Sequence, residues 1–180
     1  MHVPFCARRC TYCDFAIAVR RVVPAAEFLD ALQCELRIRL PISADGGLRT
    51  VYLGGGTPSQ LPADAVTGVV AMLRQSIGIA KGAEITIEAN PDDVTPATAA
   101  AWLAAGIGRV SLGVQSFDDS ALRWMHRVHD GRQAKEAARM LVLSGFENWS
   151  LDLIFGLPSS LRRDWRAAAA PSPARSSRRR

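Results

Sequence analysis

The apolar residues of this chain change period along its length, and that alternation limits the folds open to it more than any other feature. Short runs rich in β-branched residues at 50–53, 85–87, 109–112 and 150–155 read as strands. Between them, the segments 25–40, 63–77, 96–105 and 133–144 carry apolar residues at helical spacing. A further strand at 2–5 brings the number to five. Strand and helix alternating at roughly 30–40 residues per unit predict parallel βα repeats, because parallel neighbours need a crossover connection. An open doubly wound sheet and a barrel of βα units both satisfy this pattern. Both gather ligand loops at the carboxyl ends of the strands.

Local punctuation agrees with the period. Pro62 and Pro96 stand at first-turn positions, and Thr95-Pro96 reads as a cap followed by the residue best suited to open a helix. Gly106 and Gly145 follow helical segments where a left-handed residue is wanted.

The unusual residues fall at the predicted strand ends. Cys6, Cys10 and Cys13 follow the first strand, and Gly54-Gly55-Gly56-Thr57-Pro58 follows the second. Glu88-Ala89-Asn90-Pro91 follows the third, Gly113-Val114-Gln115-Ser116-Phe117 the fourth, and Gly156-Leu157-Pro158 the fifth. Five such loops on one rim predict a single site.

Charge bears on what that site can bind. The chain of 180 residues has a formal net charge of +5. Seven Arg and one Asp lie within 161–180, so the remaining 15 basic and 16 acidic residues nearly cancel. A nucleic-acid-binding face needs Lys and Arg spread over the folded part, so nucleic acid is not expected as a partner. No apolar run reaches the eighteen or so residues of a membrane span, and the first residues lack the character of a secretory signal. A cytoplasmic location is expected. Beyond Trp165 an Ala, Ser, Pro and Arg composition replaces the apolar period, and 159–180 is expected to be a disordered basic tail, an out-of-frame extension in character.

Three of the four cysteines form a C-x3-C-x2-C run. Clustered thiols without a secretory signal read as metal ligands rather than disulfides. Three thiolates are one fewer than a closed site requires, so either a distant residue completes the site or one metal position stays open. A structural zinc site would need His2 as its fourth ligand. Arg8 and Arg9 inside the loop favour deprotonated thiols. Cys34, in a helical pattern with Phe28, Leu29, Leu32 and Leu36, is expected to be a small buried apolar residue.

The stretch His2-Val3-Pro4-Phe5-Cys6, Cys10, Tyr12-Cys13-Asp14-Phe15 resembles the cluster loop of radical S-adenosylmethionine (SAM) proteins, and more narrowly the group of coproporphyrinogen dehydrogenases and HemW-type heme chaperones. Gly54-Gly55-Gly56-Thr57-Pro58-Ser59, Glu88-x-Asn90-Pro91, Ser111-Leu112-Gly113-Val114-Gln115-Ser116-Phe117, Arg127-x-His129 and Asp152-Leu153-Ile154-Phe155-Gly156-Leu157-Pro158 match that group in order. The resemblance covers 1–158 and implies the N-terminal part of a radical SAM domain, a partial parallel βα barrel of about five strands. It implies that Cys6, Cys10 and Cys13 hold a [4Fe-4S] cluster whose fourth iron is left for SAM. Gly55, Gly56 and Thr57 match the loop that meets the methionyl part of SAM, and Glu88 the acceptor of its ribose hydroxyls. Gln115, Arg127 and Asp152 match further ligand contacts, and Tyr12 matches backbone and ring packing against SAM. His126 and His129 are read as surface or supporting histidines rather than heme ligands.

Two departures from the group stand out. A Tyr usually precedes the position of Met1, so the first strand is expected to be shortened, and a sixth strand with the C-terminal region is missing. The dehydrogenases tend to carry a fourth cysteine two residues beyond the third, where this chain has Phe15. That implies a heme chaperone, with heme or a porphyrin, an electron donor and a heme-accepting protein as partners. Oxidative decarboxylation of coproporphyrinogen III and an inactive fragment are the alternatives.

Overall fold

Each strand lies beside the one that precedes it in the parallel sheet, so chain order and spatial order coincide. The computed structural model describes residues 1–39 and 46–161. Leu40 and the tail from 162 onward, on which expectations were placed, lie outside those residues. The elements in order are β1 (His2–Val3), β2 (Phe5–Cys6), β3 (Ala18–Val19), α1 (Ala25–Arg39), β4 (Leu48–Gly55), α2 (Ala63–Ser76) and β5 (Ile79–Ala89), then α3 (Pro96–Ala105), β6 (Arg109–Gln115), α4 (Asp119–Trp124), α5 (Gly131–Ser144) and β7 (Asn148–Leu153). The main sheet runs β1-β4-β5-β6-β7 with every pair parallel. A doubly wound sheet reverses its order at a switch point. No reversal occurs here, and α1, α2, α3 and α5 pack in succession along the sheet. This is the progression of a partial βα barrel.

The helices bury the faces that their spacing selects. α2 buries Ala65, Val66, Val69, Val70 and Leu73 in the same core cluster as Leu53, Ile87, Val110 and Leu112 of the strands. α3 is rich in alanine, and Trp102 supplies the bulk that its alanine neighbours lack, at 1% exposure. Thr95 accepts from Thr98 N while the Thr98 hydroxyl receives Thr95 N, a reciprocal cap, with Pro96 in the first turn. Gly106 and Gly145 close α3 and α5 in left-handed conformation. Pro62 stands one residue earlier than expected, at the N-cap of α2. Among the described residues no helix is long and apolar enough to cross a membrane.

The expectation for Cys34 is overturned, because the residue is exposed. Leu32 and Leu36 lie two residues to either side of it, about 200° away at 100° per residue, so the face that buries Leu36 turns Cys34 to solvent.

The cysteine loop has a small sheet of its own. After Val3 the chain leaves β4, and Phe5 and Cys6 pair with Ala18 and Val19. Ala18 N donates to Pro4 O at 2.7 Å and Arg20 N to Cys6 O at 2.8 Å. The loop carrying Cys10 and Cys13 is thereby tied at both ends above the carboxyl rim of the main sheet.

Candidate functional site

The rim encloses a cavity of about 350 Å³, within the range of ligand pockets, roughly 300–1,000 Å³. Cys6, Cys10, Tyr12, Cys13, Gly55, Gly56, Thr57, Glu88, Gln115, Arg127 and Asp152 all line it. Every site residue expected from the sequence therefore faces one space.

The glycine loop packs first against the protein itself. Gly56 N donates to Val3 O and Thr57 N to Phe5 O, both at 2.7 Å, so the loop continues the pairing of β4 alongside the first residues. A Cβ on Gly56 would lie 2.6 Å from Phe5 O and 3.0 Å from Cys6 Sγ. One on Gly55, whose φ is 119°, would meet the His2 ring at 2.4 Å. The absent side chains thus let this loop lie against the Cys6 segment. Thr57 Oγ1 then donates to Cys6 Sγ at 3.3 Å. Burial pushes the Cys6 thiol up, and the Thr57 hydroxyl pulls the other way.

Glu88, at the end of β5, is held from two sides. Tyr52 Oη donates to its Oε1 at 2.8 Å and Gly55 N to its Oε2 at 3.0 Å. Burial and then the Glu88 hydrogen bond push the Tyr52 hydroxyl up to about 12, which keeps it a donor. A carboxylate accepts about four hydrogen bonds, so Glu88 retains capacity toward the cavity. Asp152 accepts from Ser111 Oγ with both oxygens, at 3.0 and 2.9 Å. Asp152 is exposed and lines the cavity.

Arg127 joins the most elements. Its Nη1 approaches Cys10 Sγ at 3.6 Å and Tyr12 Oη at 3.4 Å. Its Nη2 donates to Asn90 Oδ1 at 2.6 Å and to Gly113 O at 2.9 Å, while Nε, also buried, has no partner among the described residues. Two residues on, the buried His129 pairs Nε2 with Val114 O at 3.0 Å and turns Nδ1 toward Asp92 Oδ1 at 3.7 Å. Burial works to raise Asp92, but the facing His129 imidazole, a backbone N–H and the nearby Arg127 charge outweigh it and hold the carboxyl below its ordinary value. Both side chains thus grip the carbonyls at the end of β6. There Gln115 takes a left-handed φ of 63°, and Ser116 N bonds back to Val114 O at 2.7 Å. That is a γ-turn with a non-glycine residue at its centre, a strained geometry. It sets Gln115 at the cavity wall.

Several residues with no role assigned from sequence also take part. Asn90 anchors Arg127, and Ser59 donates to Asp93 Oδ2 at 2.5 Å while accepting Asn90 N at 3.1 Å. Asn90 and Ser59 belong to the motifs quoted above, which was the available signal. Asp92 had none, since its partner His129 is remote in sequence.

The donor set limits what can bind. Cys6, Cys10 and Cys13 are free thiols. Among the described residues no three His, Cys, Asp or Glu side chains converge on one point that a single metal ion could occupy. His2, the fourth ligand a zinc reading requires, pairs Nε2 with Ala16 O at 2.9 Å.

The chain is similar to known proteins over most of its length. The profile of the radical SAM superfamily matches residues 1–170. The heme chaperone HemW of Haemophilus influenzae is 34% identical over 164 residues, covering 88% of this chain and 43% of that protein. The corresponding heme chaperone of Mycobacterium tuberculosis strain H37Rv is 40% identical over 161 residues, 88% of this chain and 41% of its own length. The crystallised coproporphyrinogen III oxidase HemN of Escherichia coli superposes with a TM-score of 0.80 at 32% identity, covering 87% of this chain and 36% of that one. The chain thus spans less than half the length of these relatives.

Proposed function

This chain belongs to the radical SAM superfamily, and on that premise we propose that it is the N-terminal part of a heme chaperone of the HemW type. The superfamily implies a [4Fe-4S] cluster and SAM. The residues fit that pair: three thiols line the cavity, among the described residues no closed metal site forms, and two of the three sulfurs meet a donor, Thr57 at Cys6 and Arg127 at Cys10. Hydrogen bonds to a ligating sulfur orient it toward the metal. Cys6, Cys10 and Cys13 would hold the cluster, whose reduced form supplies one electron to the SAM sulfonium. Gly55, Gly56 and Thr57 would border the methionyl part, Glu88 would accept from ribose hydroxyls, and Gln115, Arg127, Asp152 and Tyr12 would complete the wall.

The observation that carries the cluster assignment is the three-thiol wall on an otherwise open cavity. The chaperone reading rests on Phe15, where a dehydrogenase tends to carry a further cysteine, and on the similarity to heme chaperones. Heme is then the cargo, held in a cytoplasmic protein that receives an electron from a donor and hands the macrocycle to an acceptor protein. The likeness to HemN favours one second reading, oxidative decarboxylation of coproporphyrinogen III.

Anaerobic reconstitution tests both levels. The chain should take up about four irons, and Cys10→Ser should lose them; iron retained by that variant would count against the cluster. Heme uptake without coproporphyrinogen turnover supports the chaperone, and turnover would replace it with the dehydrogenase.

A further inference from the structure

The residues expected to hold the cluster and SAM leave part of the cavity wall unexplained. Phe15, Ile17, Val128 and Ile154 line it with apolar groups, and Phe15 and Val128 are 61% and 53% exposed. Between Arg127 and the end of α4 stands His126, also exposed and also lining the cavity. Its backbone has φ of 59°, the left-handed region that favours glycine. Its neighbours impose that conformation. Met125 is fully buried, and Arg127 is bound to Cys10, Tyr12, Asn90 and Gly113. His126 N donates to Arg123 O, but its imidazole has no partner among the described residues. A glycine would fill this turn without strain, so the turn gives no reason for an imidazole. Arg127 and His129 hold the Gly113 and Val114 carbonyls, and in alternation with them His126 and Val128 are left at the open part of the wall.

We propose that His126 is an axial ligand to the iron of the heme cargo, with Phe15 and Val128 as apolar contacts for the macrocycle and Arg8, on the same wall, facing its carboxylates. Neutral imidazole is a common iron ligand in heme proteins. One ring nitrogen donates its lone pair to the iron; nothing is oxidised and no bond in the macrocycle breaks. The inference rests on the heme-chaperone reading and adds to it a place and a ligand, replacing the surface role read from sequence for His126.

The test is titration of ferric heme into the reconstituted 180-residue chain and its His126→Gly variant, followed by the Soret band and electron paramagnetic resonance. His126→Gly suits the left-handed turn, so its melting temperature and iron–sulfur content should not fall. Its heme affinity should drop about tenfold or more, its imidazole-ligated signature should vanish, and added free imidazole should restore that signature. Val128→Asp should weaken binding while keeping the signature at saturation. Unchanged heme affinity and spectrum in His126→Gly would overturn the ligand assignment and leave the chaperone reading standing. Unchanged affinity in Val128→Asp would overturn the apolar contact. A wild-type chain that takes up no heme would overturn the chaperone reading itself, and this inference with it.

Discussion

Arg127 stands 117 residues from Cys10 in sequence, yet its Nη1 lies 3.6 Å from the Cys10 sulfur. The same guanidinium fixes Asn90 and the end of β6. The cysteine loop, the β5 loop and the β6 turn therefore share one rigid fork. A lysine has the charge but not the planar set of donors. Arg127→Lys should leave the Gly113 carbonyl or the Asn90 amide short of a partner and cost about 1–3 kcal/mol of stability, read by chemical denaturation. SAM affinity, measured by equilibrium dialysis, should fall about tenfold or more. Unchanged affinity would reduce Arg127 to a structural strut.

Thr57→Val keeps the shape of the side chain and removes the hydroxyl that donates to Cys6. In the proposed cluster Cys6 would lose the hydrogen bond to its sulfur, and such outer contacts are worth about 10–100-fold in metal affinity. Iron retained after challenge with a chelator should drop in Thr57→Val and be preserved in Thr57→Ser. Equal retention in all three proteins would show that the hydroxyl serves packing alone.

Much of this architecture is legible in the sequence, and the parts that are not share a cause. The α3 boundaries follow from Thr95, Pro96 and Gly106, all within one local segment. The sequence pattern marks β5 only at 85–87, but the strand begins at Ile79, where Lys81, Gly82 and Glu84 give no apolar alternation. Its first residues are strand because β4 pairs with them, through a register shift between Leu48 and Thr50. The pairing of Phe5 with Ala18 and the burial of His129 beneath Val114 likewise depend on remote partners. α4 is six residues long, too short for a period to declare itself, and its one local sign was Asp118 accepting from Ala121 N. The rim residues could be gathered on one face from the sequence because each motif is short and local, and parallel topology alone brings strand ends together.

Asp93 gives a pH dependence. Burial first, and then the neighbouring Asp92 charge, push its carboxyl up to about 6 against the hydrogen bond from Ser59, from an ordinary value of 3.8. The folded state therefore prefers the protonated acid. The resulting stabilisation is full below the unfolded value and is lost as pH rises through about 6. Asp93→Asn keeps an acceptor for Ser59 and removes the ionisation. The variant should gain on the wild type between pH 4 and 7 by about 1–3 kcal/mol and hold that lead above. Melting curves at pH 4.5 and 7.5 check this, and a lead that shrinks with rising pH would reverse the sign.

The glycines allow a contrast between close approach and simple tolerance. On Gly56 a Cβ would lie 2.6 Å from Phe5 O and 2.9 Å from Pro4 C, and neither backbone atom can swing aside as a side chain would. The strain falls on the segment that positions Cys6, whose sulfur would be 3.0 Å away. Gly56→Ala should therefore cost about 2 kcal/mol or more and also lower iron uptake, because relief of the clash moves the Cys6 thiol, a ligand in the proposed cluster. Gly108 precedes β6, and a Cβ there would meet nothing within 4 Å. Gly108→Ala should change stability by less than about 1 kcal/mol, in the stabilising direction through the unfolded chain, with iron uptake unaltered. Denaturation curves paired with iron analysis separate the two. Equal effects at both positions would mean that the close passage of Gly56 along Pro4, Phe5 and Cys6 does not set the cysteine loop in place.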